Sequence, residues 1–238
     1  MSWKDIFPQE NRYFETKNGI FYCGDCLEIM KRFPNESVDL VLTDPPYGVG
    51  SNDKKNGYED RFYNVENLSS LLFNKLKANN RCLVFSAQKT FVNVLTEFEK
   101  KGFKFCQTLI WHFPNLAGGA KKVFDFTSTY EQILLFHKGK PSCINKLKNR
   151  RNIDVLVFTK PQSNYKFDKR YHIHQKPIAL IEHLLLFLSV ENDLVLDPFL
   201  GSGTTAVVCE KLNRRWIGIE INSKYCEIAK KRILEILT

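Results

Sequence analysis

"DLVLDPFLGSGTTAVVCEKLNRRWIGIE", residues 193–220, is the stretch that decides the fold. Leu194, Val195 and Leu196 are apolar without alternation, as in a strand covered on both faces. Gly201 and Gly203 then let the backbone turn sharply and approach a ligand closely. Thr204 and Thr205 begin a helix, whose free N–H groups favour a polar or anionic group. "RWIGIE" returns as a second strand ending on Glu220, a position from which an acid commonly grips the two hydroxyls of a ribose. Strand, glycine turn, helix and strand together predict a nucleoside-cofactor site. G-S-G-T-T-A also satisfies the looser pattern G-x-G-x-x-G/A, so the turn alone leaves a nicotinamide dehydrogenase open.

The same alternation runs through the rest of the chain. "GIFYCGD", "SVDLVLTD", "RCLVFSA", "KFCQTLIWHF", "YEQILLFHK", "DLVLDPF" and "RWIGIEI" read as strands. Helical patterns lie between many of them: "CLEIMKRF", "NLSSLLFNKLKA", "TFVNVLTEFEKKG", "KPIALIEHLLLFLS", "TTAVVCEKLN" and "SKYCEIAKKRILEIL". Alternating strands and helices predict an α/β fold, a doubly wound, mostly parallel sheet with helices on both faces. Two polar regions interrupt it: Gly48 to Asn67, and roughly Lys140 to Tyr171, which holds the strand-like "DVLVFT" and two aromatics, Tyr165 and Phe167, among its cations.

Charge is concentrated in the second region. The chain has a formal net charge of +9. Lys138 to Lys176 holds eleven Lys or Arg against two acids, Asp154 and Asp168, and the remainder is balanced at 24 against 24. A basic region on an otherwise balanced protein predicts a polyanion partner, against the plainer reading of a solubilising loop. Seven cysteines, an odd number scattered over the chain, read as reduced thiols. Cys23 and Cys26 form one C-x-x-C with no second pair at similar spacing, so no metal is expected. No window is apolar enough for a membrane span, and "MSWKDIFPQENRYF" lacks the pattern of a signal peptide; a cytoplasmic protein is expected.

The second informative stretch is "TDPPYGVG", residues 43–50, which follows the strand "VDLVL". A carboxylate at the mouth of an apolar strand is costly if buried unpaired, and two prolines end the strand. Ligands of doubly wound sheets bind at the carboxyl ends of strands, near the switch point. Asp44–Tyr47 and Phe199–Gly203 both occupy such ends, and adjacent parallel strands would bring them together. One group would hold the nucleoside cofactor. The other would present a carboxylate, a proline carbonyl and an aromatic face to an exocyclic amine and its ring.

In these residues the sequence resembles the β class of bacterial DNA amino-methyltransferases, which use S-adenosylmethionine to methylate N6 of adenine or N4 of cytosine. "DPPY" at 44–47 resembles the catalytic motif, "DPFLGSGTT" at 197–205 the cofactor motif, "HQKP" at 174–177 the block before it, and "GDCLE" at 24–28 the block before the catalytic strand. The resemblance implies a Rossmann-like methyltransferase fold in three parts. Residues 1–137 would be the catalytic part, 138–171 an inserted basic target-recognition segment and 172–238 the cofactor-binding part of the same domain.

It further implies Asp44, Pro45, Pro46 and Tyr47 as catalytic. Asp25, Cys26, His174, Gln175, Lys176, Asp197, Phe199, Gly201, Ser202, Gly203, Thr204, Thr205 and Glu220 would bind the cofactor. Asp25 either contacts the cofactor adenine or caps the helix "CLEIMKRF". Lys146, Lys148, Arg150 and Arg151 would hold DNA. One departure is clear: the family's block reads H-P-T-Q-K-P, and here it reads "HIHQKP" from His172.

Asp44 and the Pro45 carbonyl would accept the two protons of the target amine, making its lone pair available, with Tyr47 stacked on a flipped-out base. The acid at position 44 favours adenine, because cytosine-N4 members usually carry serine there. Cytosine-N4 methylation is the alternative, then a non-catalytic DNA-binding partner subunit, with a dehydrogenase, RNA or protein-glutamine methylation behind. Double-stranded DNA is the expected partner, with a second copy and a cognate restriction enzyme as further ones.

Overall fold

The computed structural model describes residues 2–48, 63–115, 127–147, 152–163, 168–171 and 174–238. After a short 3-10 turn at Trp3–Ile6, the chain runs β1 (Arg12–Glu15), β2 (Gly19–Cys23), α1 (Cys26–Lys31), β3 (Val38–Thr43), α2 (Val65–Lys75), β4 (Leu76–Ser86), α3 (Phe91–Lys100), β5 (Lys104–His112), β6 (Tyr130–Lys138), β7 (Val155–Val157), α4 (Ile178–Leu188), β8 (Leu194–Asp197), α5 (Thr204–Lys211), β9 (Arg215–Glu220) and α6 (Ser223–Leu237).

The strands form one sheet in the order β1-β2-β9-β8-β3-β4-β6-β5-β7. Its centre, β2-β9-β8-β3-β4, is parallel throughout. Antiparallel pairs flank it: β1 on β2 at one side, and β6 between β4 and β5 at the other. Short β7 closes that side, parallel to β5. Side chains of the central strands alternate between two cores. Phe21, Leu40, Leu42, Leu83, Phe85, Val195 and Trp216 join α4, α5 and α6 on one face. Ile20, Tyr22, Val41, Cys82, Val84, Leu196 and Ile217 join α1, α2 and α3 on the other. Strands buried on both faces explain why these segments read as continuous apolar runs.

The doubly wound expectation therefore holds, with three adjustments. β1 was not expected; its exposure alternates as at a sheet edge, and only three of its four residues pair with β2. The helix expected through Ala78 stops at Lys75, where Leu76 turns to extended backbone and pairs with Val38. β4 is correspondingly longer than "RCLVFSA", because its early residues are held by β3 and by β6 (Asn80 opposite Lys138). Within the basic segment, "DVLVFT" supplies only β7.

The turn after β8 is held by its own side chains. Asp197 Oδ1 accepts from Phe199 N at 3.1 Å and its Oδ2 accepts from Thr205 Oγ1 at 2.6 Å. Gly203 caps α5 at φ 87°, and a Cβ there would stand 2.9 Å from Ala229 Cβ, so that glycine serves the packing of α5 against α6. Asp197 is 5% exposed. Burial, assisted by the charges of Asp44 and Glu220, outweighs its two hydrogen bonds and raises its pKa from 3.8 to about 7.

A raised carboxyl pKa is worth stability only while the folded state keeps the proton. The contribution is full below about pH 4 and is lost as pH climbs toward 7, roughly 4 kcal/mol in all. Thermal unfolding of Asp197→Asn, whose side chain stays neutral, should therefore gain on the wild type between pH 4 and 7 and keep a constant offset above 7. A difference independent of pH across that window would show that Asp197 titrates as an ordinary aspartate.

Candidate active site

Four neighbouring parallel strands, β2, β9, β8 and β3, end on the same side of the sheet, and a cavity of about 670 Å³ opens there. Because β3 pairs directly with β8 (Leu40 opposite Val195, Val41 opposite Leu196), Asp44 and Asp197 leave adjacent strands. Every residue singled out from sequence as catalytic or cofactor-binding lines this cavity except Gly203, which lies behind the turn against α6.

At one end, Gly201 N donates to Glu220 Oε2 at 2.9 Å and Asn222 N donates to Glu220 Oε1 at 2.7 Å, so the strand-end acid is fixed in orientation by backbone donors. Burial raises the Glu220 pKa, against these bonds. Unlike Gly203, Gly201, at φ 55°, would place a Cβ no nearer than 4.0 Å to its surroundings, at Phe199 O. Arg232, buried in α6, clamps the turn from behind: its Nη1 donates to Ser202 O at 2.6 Å, Ser202 Oγ at 3.0 Å and Thr204 Oγ1 at 3.2 Å. Gln175 is spent on structure. Its Oε1 accepts from Tyr171 N and Ser202 Oγ, and its Nε2 donates to Asp168 and Lys169. Asp25 caps α1, accepting from Leu27 N at 2.7 Å and Glu28 N at 3.2 Å, while facing the cavity; the two readings of this residue do not compete. Cys26 also lines the cavity, and burial, with the Asp25 charge, raises its thiol to about 12, so it is no nucleophile.

At the other end, Asp44 makes two contacts. Tyr47 donates its hydroxyl to Oδ1 at 2.6 Å, and Lys176 Nζ donates to Oδ2. Lys176, 7% exposed, also lies 3.2 Å from Glu131 Oε2, and Lys160 Nζ is 2.9 Å from Glu131 Oε1. Burial works against the Lys176 charge, but Asp44 and Glu131 outweigh it and its pKa is raised. Burial likewise opposes the Glu131 charge, and the two lysines overcome it, holding that carboxyl at about 2. The lysine expected at the cofactor is thus paired with the acid of the catalytic motif. Glu131 on β6 carries no motif or spacing that marks it, nor does Tyr63, which lines the cavity 5.7 Å from the Phe199 ring.

Of the residues expected to hold DNA, Lys146 is exposed; Lys148, Arg150 and Arg151 lie outside the described residues, as do Tyr165 and Phe167. Three other cations of the segment are engaged internally. Lys138 donates to Phe73 O and Leu76 O and meets Glu36, Lys160 meets Glu131, and Lys176 meets Asp44.

The donor set suits a cationic nucleoside. Four carboxylates, Asp25, Asp44, Asp197 and Glu220, line the cavity, with Lys176 as the one lysine or arginine among the described residues. Thr43 Oγ1 and the Tyr63 hydroxyl are buried in its wall with no hydrogen-bond partner among the described residues, which is the state of groups meant for a ligand. No group of His, Cys, Asp and Glu among the described residues is arranged to hold a metal ion, and no helix among them is long and apolar enough to cross a membrane.

Known proteins agree with this geometry. The chain is 30% identical to the Type II methyltransferase M.HpaI of Haemophilus parainfluenzae over 232 residues, 89% of this chain and 73% of that protein. It is 29% identical to the DNA adenine methyltransferase YhdJ of Escherichia coli strain K12, covering 88% of this chain and 81% of the relative. Among solved structures, the complex of M1.HpyAVI with SAM superposes with a TM-score of 0.73 at 28% identity, over 90% of this chain and 98% of that one. The sequence model of the N6_N4_Mtase family, described as DNA methylase, matches residues 38–231. Glycine turn, carboxylate-lined cavity and D-P-P-Y strand end thus meet in a chain that belongs to the N6/N4 family of S-adenosylmethionine-dependent DNA methyltransferases.

Proposed function

We propose that this DNA methyltransferase acts on N6 of an adenine flipped out of duplex DNA at a specific short sequence. The observation that carries the reading is Asp44. A carboxylate, and not a hydroxyl, stands at the head of Pro45-Pro46-Tyr47, in the same cavity as Glu220 and the glycine turn. An exocyclic amine is a poor nucleophile while its lone pair is delocalised into the ring. Asp44 Oδ2 and the Pro45 carbonyl accept its two protons, which lets the nitrogen become more tetrahedral. Tyr47, its hydroxyl fixed on Asp44, offers its ring to the base. Bound S-adenosylmethionine supplies an electrophilic methyl group. Glu220 holds the ribose hydroxyls, Asp25 faces the adenine, and the carboxylates balance the cofactor's positive charge. The relative YhdJ, named as an adenine enzyme, supports the choice of base. The family includes cytosine-N4 enzymes as well, and that is the second reading. Residues 138–171 serve as the target-recognition segment, and a restriction enzyme of the same specificity is the natural companion of a Type II enzyme.

Incubation with duplex DNA and S-adenosylmethionine should produce N6-methyladenine, read by nucleoside mass spectrometry. N4-methylcytosine alone would shift the assignment to the second reading, and unmodified DNA alongside methylated RNA or protein would remove it.

Asp44→Ala should leave cofactor affinity near that of the wild type in calorimetric titration while turnover is nearly lost. Glu220→Ala should do the reverse: losing charge-assisted hydrogen bonds worth about 2–4 kcal/mol weakens cofactor binding, and excess cofactor restores part of the rate. Near-normal turnover in Asp44→Ala would make the motif a strand cap.

Neutralising Lys146, Lys148, Arg150 and Arg151 together should weaken DNA binding and flatten its dependence on salt, since each phosphate contact adds to that slope. An unchanged slope would leave the cluster as solvated surface.

A further inference from the structure

Asp44, Lys176, Glu131 and Lys160 stand in a row of alternating charge that runs from the cavity into the basic segment. Lys160 is held in place. Its backbone N and O are both bonded to the Asn115 side chain, and its ammonium lies 3.8 Å from the Phe113 ring centroid and 5.5 Å from that of Trp111. At 38% side-chain exposure it is nonetheless open to solvent. The sharing of Lys176 is unequal. It is hydrogen-bonded to Asp44 Oδ2 and, at 3.4 Å, to His174 O, whereas Glu131 Oε2, 3.2 Å away and buried, meets it as an ion pair without hydrogen-bond alignment. Lys176 therefore has a second carboxylate within reach.

That arrangement weakens Asp44 as an acceptor. Each oxygen of the carboxylate assigned to the target amine already takes one donor, Oδ1 from Tyr47 and Oδ2 from Lys176, and keeps a second lone pair. The Lys176 charge on Oδ2 competes with the amine for that oxygen, and the nearby Glu131 oxygen lets Lys176 shift without leaving a buried ammonium unpaired. We propose that Glu131 is a positioning residue for the reaction: it draws Lys176 away from Asp44, and Lys160 sets how strongly it does so. The inference rests on Asp44 being the acceptor for the target amine. When Lys160 is drawn to an external anion such as a DNA phosphate, the full charge of Glu131 falls on Lys176 and Asp44 is freed. Engagement of the basic segment and readiness of the catalytic carboxylate are thereby linked through three ion pairs.

The charged and titratable groups that face Asp44 are Tyr47 on its own turn, Tyr63 ahead of α2, Asp197 on β8, Lys176 ahead of α4 and Glu131 on β6. Only the last two connect it to Lys160. The two ends of the row can be altered with opposite consequences. In Glu131→Gln, Lys176 keeps Asp44 as its sole carboxylate. The acid limb of kcat should move down by roughly one pH unit, and kcat should fall about tenfold with the KM for S-adenosylmethionine little changed. In Lys160→Gln, Glu131 is left with Lys176 alone. The acid limb of kcat should move up by roughly half a pH unit, and Lys160→Arg should restore the wild-type profile.

The measurement is kcat against pH at saturating DNA and cofactor. Displacement of the acid limb in the same direction in both variants, or no displacement in either, overturns the proposal. Should Glu131→Gln fail to fold, the pair of surface variants at Lys160 decides alone. An active Asp44→Ala would instead overturn the acceptor role itself, whatever the pH profiles show.

Discussion

The parallel pairing of β3 with β8 is the contact on which the site depends. Two ladder positions, Leu40 opposite Val195 and Val41 opposite Leu196, set the register of the sheet's centre. That register brings the catalytic strand end beside the glycine turn, although their residues are far apart in the chain. Both strands are buried on both faces, so a slip of one residue would exchange Leu40 and Leu42 for Val41 between two packed cores. Each core is built of three helices, and neither tolerates the exchange. The geometry of the cavity is thus imposed by packing on the apolar side chains behind it.

Electrostatics then gives the cavity its character. Asp44, Asp197 and Glu220 converge on one volume, and each is dealt with differently. Glu220 is fixed by backbone N–H groups, Asp197 is inclined to keep its proton, and Asp44 is neutralised by Lys176. Of the three, Glu220 is the carboxylate whose charge no cation offsets, and it is the one a cationic nucleoside entering the site would meet. Under the proposed function, Glu220 would serve the cofactor and Asp44 the incoming amine, and the separation of these environments along one cavity wall would let the two roles coexist.

The basic segment is divided in the same way. Its formal charge reads as one polyanion-binding feature, but Lys138, Lys160 and Lys176 are turned inward on backbone carbonyls and carboxylates. Counting charge along a chain assigns every lysine to the surface. Ammonium groups on long stems reach 5–6 Å and are captured by any buried acceptor that the fold leaves open. Lys146 stays outside and exposed.

The sequence by itself determined the α/β class, the order of nearly all the strands and helices, and the motif residues that the cavity gathers. These follow from local causes: period-two burial, apolar runs, helix caps, and the D-P-P-Y and glycine motifs with the family resemblance they carry. β1 escaped notice because a four-residue edge strand has too few alternations to stand out. The early part of β4 escaped because its apolar content is low and its pairing with β3 and β6, not propensity, makes it a strand. What only the tertiary structure decided is which charges meet. Glu131 reaches the site because β6 runs antiparallel to β4, and Lys160 reaches Glu131 because Asn115 and the Phe113 ring hold it there. Lys176 stands in the cofactor block by sequence and on Asp44 in space. Ion pairs act over a few ångströms across strands that no local pattern relates, so their partners are fixed by the fold and are not written in the chain.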